Sequence, residues 1–137
     1  MFVFEHKIRV RYGETDQMGF VYHGNYALYY EESRTEALRN LGITYKELEE
    51  AGIMLPVLDI KSRFRKPARY DDLLTIKVTM ETAPDVKMTF HYKVFNQEKV
   101  LLNTGETTLV FVDRETARPC QAPDYLLEIW RPLFDEK

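Results

Sequence analysis

The segment Arg11 to Glu36, RYGETDQMGFVYHGNYALYYEESRTE, decides the reading of the chain. Its first part, Gly13 to Gly19, is a polar loop carrying Glu14, Thr15 and Asp16 with a glycine at either end. Val21 to Asn25 reads as the entry to a helix: Gly24 and Asn25 just ahead of a periodic segment are start signals, and Asn25 can accept a bond from a first-turn N–H. From Tyr26 to Leu41 the residues Tyr26, Tyr30, Ser33, Ala37 and Leu41 recur at three or four and make one stripe, with Glu31, Arg34, Glu36 and Arg39 on a polar side. Such a helix is about 25 Å long, and the small Ser33 and Ala37 would let a sheet approach closely. A carboxylate (Asp16), an imidazole (His23) and helix-terminal N–H donors thus arise close together. An acid that activates water, beside donors for an oxyanion, is the minimum equipment for attack on an acyl carbonyl.

Working outward, residues 2–12 alternate with a period of two. Phe2, Phe4, His6, Ile8, Val10 and Tyr12 share one face of a half-buried strand. On that face His6 reads better as a hydrogen-bonded strand residue than as a catalytic one. After the long helix, Gly42 is placed to stop it in a left-handed conformation. Thr44 with Glu47 is a capping-box signature for a short helix over 44–51, ended by Gly52. Residues 54–68 form an extended run closed by Pro67. The segments 74–81, 86–96 and 99–112 alternate, separated by turns at Ala83-Pro84-Asp85 and Asn96-Gln97-Glu98, and read as an antiparallel meander. Gly105 marks a bulge or a close approach, and Pro123 opens a short helix through Ile129. This order of elements gives an α+β domain spanning 1–137, with an antiparallel sheet of about five strands against a long helix.

Composition narrows the function. The 137 residues are 45% hydrophobic and 30% charged, as in a soluble globular domain, and nine Tyr with eight Phe favour strands and aromatic-lined pockets. A net charge of −3 argues against nucleic acid as the partner. No apolar run reaches the ~18 residues of a membrane span, and the start MFVFEHKIRV alternates where a signal peptide would not. The single Cys120 fits a reducing cytoplasm. No H-x-x-E-H or H-E-x-x-H spacing suggests a metal.

The opening segment resembles the 4-hydroxybenzoyl-CoA thioesterase family of hotdog-fold proteins, especially its short-chain acyl-CoA thioesterase branch associated with Tol–Pal operons. The family pattern, Y-x-D-T-D-x-x-G-x-V-Y-H-x-x-Y followed by Y-x-E-x-x-R-T-E, is matched by Tyr12, Thr15, Asp16, Gly19, Val21, Tyr22, His23 and Tyr26, then Tyr30, Glu32, Arg34, Thr35 and Glu36. Glu14 replaces the first Asp, and the second acid, Asp16, is the one the family uses. Phe64 to Asp72 resembles the family's aromatic-x-x-P-A-x-Y-D-D turn, so the likeness covers nearly the whole chain.

The resemblance implies a hotdog sheet wrapped around the helix and hydrolysis of an acyl-CoA thioester to a free acid and CoA, with no cofactor. It makes Asp16 the general base or the nucleophile and His23 its partner. The N–H groups around Tyr22, His23 and Gly24 become the oxyanion donors. Glu32 is a reserve acid, because another branch of the fold carries its catalytic Glu on this helix. By itself Asp16 could equally be an Asx-turn residue, and His23 a polar residue at a helix start. Lys61, Arg63, Arg65, Lys66 and Arg69 place five cations in nine residues. They read either as a solvated edge guarding against aggregation or as a cradle for CoA phosphates. Only Lys87 matches the basic cluster that the founding enzyme carries near its penultimate strand, so Arg63, Arg65, Lys66 and Lys87 are the phosphate candidates. An acyl carrier protein could replace CoA as leaving group, and a non-catalytic acyl-CoA-binding or scaffold protein of the same fold is the alternative. The resemblance also implies a homodimer with the sites at its interface, within a homotetramer.

Overall fold

The computed structural model describes residues 1–134. Eight strands and three α-helices follow in order: β1 (Phe2–Arg9), α1 (Asn25–Asn40), α2 (Tyr45–Glu50), β2 (Ile53–Met54), β3 (Val57–Phe64), β4 (Leu73–Met80), β5 (Lys87–Phe95), β6 (Leu101–Val110), β7 (Val112–Asp113), β8 (Arg118–Pro119) and α3 (Asp124–Phe134). A five-stranded sheet has the order β1-β4-β5-β6-β3 with every neighbour antiparallel. A small sheet, β2-β7-β8, closes one end. The expected meander is β4-β5-β6. The expected run over 54–68 is two strands broken at Leu55-Pro56, and the second, β3, crosses to the far edge beside β6.

Alternation decides which faces are buried. Leu74, Ile76, Val78 and Met80 of β4 and Met88, Phe90, Tyr92 and Val94 of β5 form the floor on which α1 lies. Tyr30 of α1 is fully buried and stacks on Tyr92 with ring centroids 4.2 Å apart. Gly105 has the role of close approach: a Cβ there would land on the Tyr30 ring. The Tyr30 hydroxyl reaches Ser62 of β3 and Asn103 of β6. Gly42 and Gly52 take the left-handed conformation at the two helix ends, and the Thr44 hydroxyl accepts from the Glu47 N–H at 3.2 Å.

Three expectations are corrected. The alternation of residues 2–12 holds only to Val10, and Tyr12 is exposed in a 3-10 turn over Tyr12–Glu14. Tyr29 and Arg34 are buried while Leu41 is half-buried, because the sheet covers a wider face of α1 than a single stripe. The tail helix continues past Ile129 to Phe134, burying Leu126 and Trp130 one turn apart. His6 is the hydrogen-bonded strand residue expected: its Nε2 lies 2.7 Å from the Glu32 carboxylate and ties β1 to α1.

Candidate active site

Glu14 is the brace of the loop. Its carboxylate accepts from the Arg11 backbone N–H at 2.9 Å, from the Arg11 guanidinium at 2.9 and 3.1 Å, and from the Tyr29 hydroxyl at 2.8 Å. Burial pushes this carboxyl up, but the bonds from the Arg11 N–H, the Tyr29 hydroxyl and the Arg11 guanidinium outweigh it, so Glu14 sits below its ordinary value. The Glu14 carbonyl accepts from the Tyr22 N–H at 2.9 Å and from Asn25 Nδ2 at 2.8 Å. Asn25 therefore ties α1 to the loop and does not cap the helix as expected.

Asp16 sits at the turn of that loop. Its Oδ1 accepts from the Met18 N–H at 2.9 Å and the Phe20 N–H at 3.2 Å. Its own N–H donates to the Phe20 carbonyl at 2.8 Å, and Gly19, at φ +80°, returns the chain to its carbonyl. The Asx-turn is real, and it aims the carboxylate. Among the described residues Oδ2 has no hydrogen-bond partner.

The expected oxyanion donors lie at the start of α1. Gly24 is the first flanking residue, and no side chain caps the helix. Tyr22 is corrected as an oxyanion donor, because its N–H is already given to Glu14. Among the described residues, the N–H groups of His23 and Gly24 have no acceptor. The His23 ring lies 4.4 Å from that of Tyr22, and the Tyr22 ring lies against Gly24.

The second motif completes the wall. The Val21 N–H donates to the Ala68 carbonyl at 2.8 Å, Phe20 bridges to Arg69, and the Arg69 guanidinium lies 5.0 Å from the centre of the Phe20 ring. Asp72 accepts from the Arg69 N–H at 2.9 Å and so closes the turn. Asp16, Phe20, His23, Tyr26, Phe64 and Lys66 are among the lining of a cavity of about 280 Å³. Tyr26 and Phe64 meet edge-on at 5.2 Å, and burial pushes the Tyr26 phenol up to about 12, so it stays neutral.

The cation candidates divide. Arg65 and Lys66, both with N–H groups on the Leu102 carbonyl, rim the Asp16 cavity. Lys61 and Arg63 face an open groove on the outer side of the sheet with His91 and Glu106, and Arg65 borders both spaces. Lys87 is not brought to the site within one chain. It pairs with Val110, six residues along β6 from Thr104, the partner of Arg63, which is about 20 Å away.

This loop-helix-turn arrangement is shared with known proteins. The profile of the Thioesterase-like superfamily matches residues 10–129. The chain belongs to that superfamily. The acyl-CoA thioester hydrolase YbgC of Escherichia coli is 32% identical over 121 residues, 88% of this chain and 90% of its own. YneP of Bacillus subtilis is 35% identical over 121 residues, 88% of each chain. The crystal structure of a DHNA-CoA thioesterase from Staphylococcus aureus superposes with a TM-score of 0.90 at 31% identity, covering 97% of this chain and 91% of that one. The fold is the hotdog fold of this superfamily.

The sequence reading missed Phe20, Tyr26 and Phe64 as cavity walls and the Glu14–Tyr29 bond as the brace. Tyr29 lies outside the stripe that runs through Tyr26 and Tyr30, and Glu14 stands where the family pattern has Asp.

Proposed function

We propose that the chain is an acyl-CoA thioesterase, a single catalytic domain over 1–137 that releases a free carboxylic acid and CoA. The observation that carries this is the cavity on which an aimed Asp16 carboxylate and the start of α1, with its unpaired N–H groups, converge. YbgC, a relative matched over most of both chains, is named for this activity.

In this reading Oδ2 of Asp16 takes a proton from a water whose oxygen attacks the thioester carbonyl. The oxyanion is held by the N–H groups of His23 and Gly24, with the His23 side chain assisting. Collapse breaks the C–S bond, and the thiolate leaves with the proton that Asp16 held. The alternative, direct attack by Asp16 to give a mixed anhydride, is separated by one turnover in H₂¹⁸O: label enters the Asp16 carboxylate only on the anhydride route. Arg65 and Lys66, with Arg63 and a Lys87 contributed by a neighbouring copy, serve the CoA phosphates. The motif favours the Tol–Pal-associated short-chain branch, with CoA ahead of an acyl carrier protein as leaving group, and the single Cys120 fits a cytoplasmic location.

Thiol release tests the reading across acyl-CoAs from acetyl to palmitoyl, with benzoyl-CoA included. Turnover of at least one series is expected. Tight binding of acyl-CoA without release would establish the scaffold alternative instead. Arg63→Glu with Arg65→Glu should raise KM for acyl-CoA and spare N-acetylcysteamine thioesters, which lack the nucleotide phosphates.

A further inference from the structure

Arg34 is only 6% exposed, yet among the described residues no carboxylate forms an ion pair with it. Its Nε donates to the Tyr45 hydroxyl at 3.3 Å, and Tyr92, whose phenol burial pushes up to about 12, lies alongside. A neutral phenol solvates a guanidinium without balancing its charge. A cation buried without a counter-charge is strongly destabilising, so such groups are normally paired. Arg34 borders a second cavity of about 240 Å³, whose walls include Leu48, Leu55, Val57 and Leu109, with Glu31 and Glu49 also on the lining. Neither of those acids is within ion-pair reach of the guanidinium in the structure.

We propose that this cavity is a second binding site, which takes a carboxylate carried on an apolar body and pairs it with Arg34. The planar guanidinium suits a carboxylate in a two-point contact, and the aliphatic walls suit a short hydrocarbon. Glu31 and Glu49 favour a ligand with a single negative charge over a polyanion such as a nucleotide. The cavity lies eight residues along α1 from Tyr26 of the Asp16 cavity, about 12 Å at the helical rise. The carboxylate has two sources, a free acid bound by itself or the far end of an acyl group whose thioester sits at Asp16.

Calorimetric titration of the full chain with hexanoate and with 1-hexanol tests the site. Hexanoate is expected to bind the wild-type protein at least about tenfold more tightly than hexanol, and Arg34→Met should abolish that difference. Leu55→Trp fills the cavity but leaves the guanidinium in place, and should also lose hexanoate; it keeps the test decisive if Arg34→Met does not fold. Equal affinity for the two compounds, no binding of hexanoate, or hexanoate affinity unchanged by both substitutions overturns the proposal. The source is read from adipyl-CoA against hexanoyl-CoA. A wild-type preference for adipyl-CoA that Arg34→Met removes assigns the acyl terminus, and parity assigns a free acid. Only that comparison rests on the hydrolytic reading, so an inactive protein would leave the titration result standing.

Discussion

The two oxygens of Asp16 stand differently: Oδ1 is fixed by two backbone N–H groups, and Oδ2 is the one the proposed mechanism uses as base. Asp16→Asn can keep the accepting oxygen on those N–H groups while losing the basic one, so the fold should hold and kcat should fall by roughly 10²-fold or more. Thiol release with a melting curve checks both, and retention of about a third of the wild-type kcat would identify the wrong acid. The donors can be tested although they are main chain. Gly24 has φ −64°, the value proline imposes, so Gly24→Pro deletes one N–H without requiring a new φ there. A kcat loss of about 10²–10³ is expected, whereas Gly24→Ala meets the same Tyr22 ring but keeps its N–H and should lose far less. Equal losses would assign the effect to Tyr22. Glu14 gives a pH signature. Its folded value is depressed, so its contribution to stability is present above its ordinary value of 4.5 and is lost as pH falls through the folded value. Glu14→Gln should therefore lower Tm at neutral pH and flatten its acid limb below about pH 4.5, as read by melting curves from pH 2 to 7. An unchanged acid limb would remove Glu14 as the brace.

Among the elements, legibility followed the environment of each one. β4, β5 and β6 were legible because a sheet with one face on α1 and one outward writes a period of two into the chain. The loop ahead of α1, on which the proposed mechanism rests, stood out through its typed residues, above all Asp16, Gly19 and His23. The break at Leu55-Pro56 was not legible, because every residue of β3 is exposed and no period of buried residues marks where the strand begins. Nor was the burial of Arg34, since a charged residue at a helical position reads as solvent-facing unless its partners are known. The roles of Asn25 and Tyr22 were misread for another reason: both are spent on the Glu14 carbonyl, a contact that depends on how the loop folds back. Gly105 shows how tightly the central contact is built. Gly105→Ala must displace the fully buried Tyr30 from its stack on Tyr92 and from Ser62. Such overpacking should cost about 1–3 kcal/mol in a denaturant titration. A neutral effect would show that the helix and sheet can part without loss.

At the scale of the molecule, the open question is what covers β3. It is an edge strand of eight residues, all exposed, and Val57, Leu58, Ile60 and Phe64 are each more than 40% accessible. A long apolar edge is an invitation to pair with another chain. β6 lies inside the sheet between β5 and β3, so the edge on that side of the sheet is β3, with β1 at the opposite edge. Two copies of β3 joined antiparallel about a twofold axis would satisfy both edges with one patch and extend the sheet across the pair. The same strand ends at Phe64, Arg65 and Lys66 on the wall of the Asp16 cavity, so a neighbour there would also help to enclose the substrate. The proposal is a C₂ dimer as the minimal active unit, paired again into a tetramer. Leu58→Lys with Ile60→Lys places like charges where the two strands would meet, and should give a monomer near 16.3 kDa in sedimentation with its secondary structure retained. That monomer should show little thiol release at concentrations where the wild-type dimer is fully active. A monomeric variant that turns over as fast as the wild-type protein would show that each Asp16 cavity is complete within its own chain.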